Sequence, residues 1–219
     1  HELSEYYTAQ LVGGDISQGP LVVTITAHGT IPEDTAIKRN GAKAGDWLYV
    51  TGTLGDAGLA LEHTLNGFEL ATKHRDKLVN RLHYPTPRVL AGSALRKVAS
   101  SAIDISDGLI SEIGHICKAS GTGAVIHIEQ VPLSTALKES VPEEAAIEFA
   151  LAAGDDYELL FSVSEERKGA LEVALHEANV KATCIGQITG NVGKVELLHK
   201  GEKYPFTAKG HEHFSESDS

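Results

Sequence analysis

Three short runs gather carboxylates beside glycines or beside an expected strand end: Gly13-Gly14-Asp15, Asp104-Ile105-Ser106-Asp107-Gly108 and Gly154-Asp155-Asp156-Tyr157-Glu158. In an extended segment Asp104 and Ser106 point to the same side. Asp107 then falls at the expected start of a helix, where free N–H groups and a partial positive charge favour phosphate oxygens. Carboxylates spaced this closely can also hold hard cations through oxygen ligands. One segment could therefore supply metal ligands, a hydroxyl and an anion-binding helix end. The plainer alternative is that Ser106 or Asp107 is only the helix N-cap. In the first run, two glycines would let the backbone approach a phosphate and Asp15 would meet a metal, although a tight turn explains the same glycines. In the third, Asp155, Asp156 and Glu158 repel one another unless cations or donors neutralise them; the alternative is an exposed loop. These parts suit phosphoryl transfer, which needs metals on phosphate oxygens, backbone donors and an arginine or lysine for developing charge. Arg39 and Arg88 are candidates for that cation.

Strands and helices must place these runs. Residues 21–27 (LVVTITA), 47–51, 102–105, 124–128, 157–163, 183–188 and 194–199 are rich in β-branched and apolar residues and read as strands. Helices are predicted near residues 2–10, after Gly55-Asp56-Ala57-Gly58, over 88–100 with Pro87 in the first turn, after Asp107, and over 143–151 and 167–178. The segment Thr51-Gly52-Thr53-Leu54-Gly55-Asp56-Ala57-Gly58 loosely mimics a phosphate loop. It lacks the Lys-Ser/Thr of that motif and reads as strand–helix packing. The interleaving gives an α/β or α+β class with a mixed sheet covered by helices. A boundary is expected near residues 34–44, dividing the chain into 1–38 and 39–214, and residues 215–219 are expected to be a disordered tail.

The 219 residues carry a net charge of −11, and no basic footprint for nucleic acid is visible. No apolar run reaches the ~20 residues of a membrane span, and no signal peptide is visible. Cys117 and Cys184 show no CxxC spacing, which suits a reduced, cytoplasmic protein. His211 and His213 form an H-x-H whose spacing is weak support for a metal pair.

The runs VGGDISQGP, KRNGAKAGDWLYVTGTLGDAGLAL, PTPRVLAGSAL, SSAIDISDGLISEIGHICKASGTGA, AAGDDYELLFSV, CIGQIT and KGHEHF, in this order, resemble the thiamine-monophosphate kinase family. DISDGL followed by GDDYEL is the most specific part. The resemblance implies the C-terminal domain of the aminoimidazole-ribotide-synthetase-like fold, preceded by a remnant of the N-terminal ATP-binding and dimerisation domain. It implies Mg²⁺-dependent transfer of the γ-phosphoryl group of ATP to thiamine monophosphate, in a cytoplasmic homodimer.

By the same resemblance Gly14, Asp15, Arg39 and Ser106 are expected at ATP, and Asp15, Asp104 and Asp107 at Mg²⁺. Asp155 and His211 are expected at the substrate. Asp155 replaces the family's usual Glu, and His211 its usual aromatic residue. The family's N-terminal acid motif and its NLSDxAAMGA helix have no counterpart here. The 219-residue chain alone is accordingly expected to be inactive. Two other readings stay open: a related ATP-dependent synthetase of aminoimidazole-ribotide or selenophosphate type, and a non-catalytic binding domain.

Overall fold

β-branched and aromatic runs become strands where each finds hydrogen-bonding neighbours and a buried face. In the computed structural model, which describes residues 2–206, the chain divides into two units, His1–Ala36 and Ile37–Ser219. The second holds β1 (Trp47–Thr51), β2 (Ser101–Ile105), β3 (Gly123–His127), β4 (Glu158–Val163), β5 (Ala182–Thr189), β6 (Val195–His199) and β7 (Glu202–Lys203). They form one sheet in the order β2-β4-β1-β5-β3-β6-β7. The β3–β6 ladder is parallel and the other ladders are antiparallel. The mixed α/β class expected from the sequence is the class found.

The helices are α1 (Glu2–Tyr6) in the first unit and, in the second, α2 (Asp56–Asn66), α3 (Thr72–His83), α4 (Val89–Leu95), α5 (Leu109–Ser120), α6 (Thr135–Ser140), α7 (Glu143–Ala152) and α8 (Lys168–Glu177). Alternation along the strands gives the sheet two apolar faces. Leu48, Val50, Ile103, Ile105 and Leu160 pack with Ile113 and Ile116 of α5 and Leu151 of α7. Phe161 and Val163 face the other way, onto Leu95 of α4 and Leu171 of α8. Leu59, Leu78, Leu137 and Ala146 join α2, α3, α6 and α7 in a separate cluster. None of the described helices is long and apolar enough to cross a membrane.

Four expectations need correction. Residues 21–27 form no strand; Val22, Val23 and Ile25 are 76–87% exposed. β-propensity describes fit to a paired, half-buried surface, and no ladder partner for this run exists among the described residues. The helix expected over 88–100 stops at Leu95, because Arg96 turns extended and Lys97 takes a φ of 71°. The helix expected over 2–10 stops at Tyr6, and Thr8 follows with a φ of 56°. Helices α3 and α6 were not foreseen: α3 is polar and buries fully only Leu78.

Ile113 is fully buried beneath the first turns of α5, against the sheet. Ile113→Ala is expected to destabilise the fold by about 2–5 kcal/mol, measured by urea denaturation.

Candidate functional site

Antiparallel pairing of β2 with β4 lays two of the acidic runs side by side. Asp104 stands opposite Leu159 and Ile105 opposite Glu158. Beyond the ladder the Asp155 N–H donates to the Ser106 carbonyl at 2.9 Å, and the Tyr157 N–H donates to the Ile105 carbonyl at 2.8 Å. Asp155 and Tyr157 reach those partners at φ values of 66° and 49°, a region non-glycine residues seldom occupy. Asp104 and Asp107 are exposed, Ser106 and Asp155 partly so. Gly154 permits the close approach: a Cβ there would lie 2.2 Å from the Ser106 carbonyl oxygen.

Helix α5 begins just past Asp107. Gly108, at a φ of 100°, is its N-cap, and no side chain caps it. The capping role considered for Ser106 or Asp107 is therefore not what these residues do. Glu112, only 2% exposed, instead reaches back to the Asp107 backbone N–H. Burial raises the Glu112 carboxyl, His115 and the Asp107 N–H pull it down, and Asp107 and Asp104 add to the rise. Glu112 thus belongs to the electrostatic surroundings of the exposed acids. Its place on the apolar side of a helix gave it no motif to be read from.

The third acidic run is resolved by donors. Glu158 is 1% exposed. Arg88 grips it with Nε on Oε2 and Nη2 on Oε1, both at 2.6 Å. Arg81 Nη2 donates to Oε1 at 3.1 Å and Thr51 Oγ1 to Oε2 at 2.6 Å. Gly52, at a φ of 61°, makes room, since a Cβ there would lie 2.2 Å from Glu158 Oε1. Asp156 is fully buried and accepts the Gly55 N–H at 2.9 and 3.1 Å. The third donor set serves Asp56, which accepts from Ser134 Oγ at 2.5 Å and Thr53 Oγ1 at 3.3 Å. Packing therefore explains Asp156 and Glu158, and Asp155 is left as the outward acid of its run. Arg88, considered for developing charge, is bound to Glu158.

The remaining candidates lie elsewhere. Arg39 is exposed on a short 3₁₀ turn whose carbonyl accepts the Ser120 hydroxyl at 3.0 Å. Ser120 ends α5, so this turn sits ~16 Å along the helix axis from the end that follows Asp107. Gly14 and Asp15 lie in the first unit; both are exposed, and the Ile16 N–H donates to Asp15 Oδ1 at 2.8 Å. His211 lies outside the described residues. Among the described residues, no three or more His, Cys, Asp or Glu side chains gather closely enough to hold a metal ion. A cavity of about 360 Å³ lined by Ile128, Val131, Lys138, Ile147 and His199 contains none of the candidate acids.

Residues 43–197 match the family described as AIR synthase related protein, C-terminal domain. The thiamine-monophosphate kinase of Escherichia coli strain K12 is 47% identical over 98% of the chain, which spans 66% of that relative's length. Among solved structures, the thiamine-monophosphate kinase of Stenotrophomonas maltophilia K279a matches with a TM-score of 0.71 and 35% identity, over 80% of this chain and 56% of that one. AaThiL complexed with AMPPCP and TMP matches with a TM-score of 0.64 and 32% identity, over 80% of this chain and 54% of that one.

Arg88→Ala leaves the buried Glu158 with Arg81 and Thr51 alone. It is expected to destabilise the fold by about 3 kcal/mol, read from denaturant midpoints. A second outcome concerns pH. Burial pushes the Asp156 carboxyl from its usual 3.8 up to about 7, against the Gly55 N–H and Arg81, which lower it. The folded state then binds this proton more tightly than the unfolded chain. The Asp156 contribution is most favourable below about pH 4 and is lost as pH rises to about 7. Asp156→Asn keeps an acceptor for Gly55 and should remove that loss. Stability of the variant relative to the parent should therefore increase over this window in denaturation measured at stepped pH.

Proposed function

We propose, for a chain that belongs to the AIR synthase related family and within it to the thiamine-monophosphate kinases, that it forms the acceptor-side part of an enzyme transferring the γ-phosphoryl group of ATP to thiamine monophosphate. The observation carrying this reading is the pairing of β2 with β4. It sets the exposed carboxylates of Asp104 and Asp107 next to the outward Asp155, at the beginning of a helix. The chain spans 66% of the Escherichia coli relative, so the activity is proposed for the full product of the encoding gene.

The donor set fits Mg²⁺ as that ion is usually bound, by one or two carboxylates together with substrate phosphates and water. Asp104 and Asp107 are hard, exposed oxygen donors of the kind that hold such an ion together with phosphates. When bound, the ion supplies neutralisation of the phosphate oxygens. The chain's own residues do the rest. The first-turn N–H groups of α5 offer donors to an anion, Ser106 offers a hydroxyl beside them, and Asp155 offers a carboxylate to the acceptor. Asp15, with Gly14, is assigned to Mg²⁺ and ATP, Arg39 to ATP and His211 to the substrate, all on the resemblance of their segments. The names of the relatives and the AMPPCP and TMP bound to AaThiL support the choice of substrates. A homodimer in the cytoplasm is the assembly proposed with this activity.

The test uses the full gene product with ATP, Mg²⁺ and thiamine monophosphate, followed by mass spectrometry. Thiamine diphosphate should accumulate, and the double variant Asp104→Asn, Asp107→Asn should lower the rate by at least about 10³-fold. The 219-residue chain alone should give none. Turnover of another phosphate acceptor with no thiamine diphosphate would refute the substrate assignment.

A further inference from the structure

Tyr157 is placed where packing gives it no reason to be. Its neighbours Asp156 and Glu158 are 0% and 1% exposed, yet Tyr157 is 42% exposed. Its backbone sits at a φ of 49° and is tied to the Ile105 carbonyl. The inward pull of Asp156 on Gly55 and of Glu158 on Arg81 and Arg88 brackets it on both sides. The ring is thereby turned out at the edge of the acidic site. Among the described residues no second aromatic ring packs against it.

Its surroundings are negative. Asp155 lies two residues before it, and the charges of Asp155, Asp104 and Asp107 all act on its phenol. Burial first, then these carboxylates, hold the phenol proton in place above the usual range, so the hydroxyl is a donor at neutral pH. Arg81 and Arg88, the nearby cations, are directed at Glu158. An exposed tyrosine face beside a carboxylate is a receptor for a planar cation, through attraction of positive charge to the ring and through the acid itself. Neutral rings gain the stacking and not the charge.

We propose that Tyr157 is a specificity-determining residue that receives the permanently cationic ring of the acceptor against its face, with the Asp155 carboxylate of the same run adding its charge. This rests on the reading of the site as a thiamine-monophosphate kinase, whose acceptor carries a thiazolium ring. The phosphate of that acceptor would then extend toward Asp104 and Asp107.

The experiment is steady-state kinetics on the full gene product with thiamine monophosphate and with its 3-deaza analogue, in which the ring is neutral. Tyr157→Leu is expected to raise KM for thiamine monophosphate about tenfold and to leave KM for ATP within about twofold. The analogue's KM should hardly move, so the preference for the cationic ring collapses. Tyr157→Phe keeps the ring and should restore most of the lost affinity. A rise in KM for ATP, an equal loss for both acceptors, or no effect of Tyr157→Leu while the parent enzyme works normally would overturn the assignment and leave the kinase reading intact. A parent enzyme that makes no thiamine diphosphate would overturn both.

Discussion

The carboxylate of Glu158 organises this half of the molecule. A charge at 1% exposure is tolerable only when fully matched, and here two guanidiniums and a threonine hydroxyl match it. The match adds a polar joint to elements that also meet through apolar contacts, as Leu48 and Val50 of β1 meet Leu160 of β4 and Leu95 of α4 meets Phe161. Arg81 comes from α3, Arg88 from just before α4, Thr51 from β1 and Glu158 from the first position of β4. Helix α3 buries only Leu78 completely, and Arg81 adds a polar attachment to β4.

The same joint shapes the site without touching a ligand. Glu158 and Asp156 point inward and are fixed, so the residues between and before them must point outward. That is how Asp155 and Tyr157 come to stand beside Asp104 and Asp107 at backbone angles that cost energy. Gly52 and Gly154 give the two close approaches that the arrangement needs, one to a side chain and one to a backbone carbonyl. Burial thus acts on function through direction: acids of one run are sorted into those that hold and those that face solvent.

Much of the sheet was legible as short apolar runs bounded by glycines and acids, as at Trp47–Thr51 and Glu158–Val163. The run at 21–27 has the same composition, and composition cannot supply the neighbouring strand that would make it one. Helix α3 escaped notice because its residues are polar on nearly every face, and its anchor, Arg81, bonds a residue 77 positions away. The acidic runs were visible as clusters. Which acid of Asp155, Asp156 and Glu158 faces outward was not, since that depends on donors at Gly55, Arg81 and Arg88. Glu112 was invisible for a similar reason: it looks like one polar residue in a helix until the Asp107 N–H is seen to meet it.

Strand β2 stands at one end of the strand order, paired with β4 on one side, while its Ala102 N–H donates to the Lys38 carbonyl at 3.4 Å. Edge strands invite a further strand from another molecule, and a charged side chain projecting from the edge discourages it. Asp104 is that charge, flanked on the strand by the apolar Ile103 and Ile105. An exposed acid at this place disfavours edge-to-edge pairing of neighbouring copies. An apolar replacement at this position would favour self-association of the strand as well as remove a carboxylate proposed for Mg²⁺.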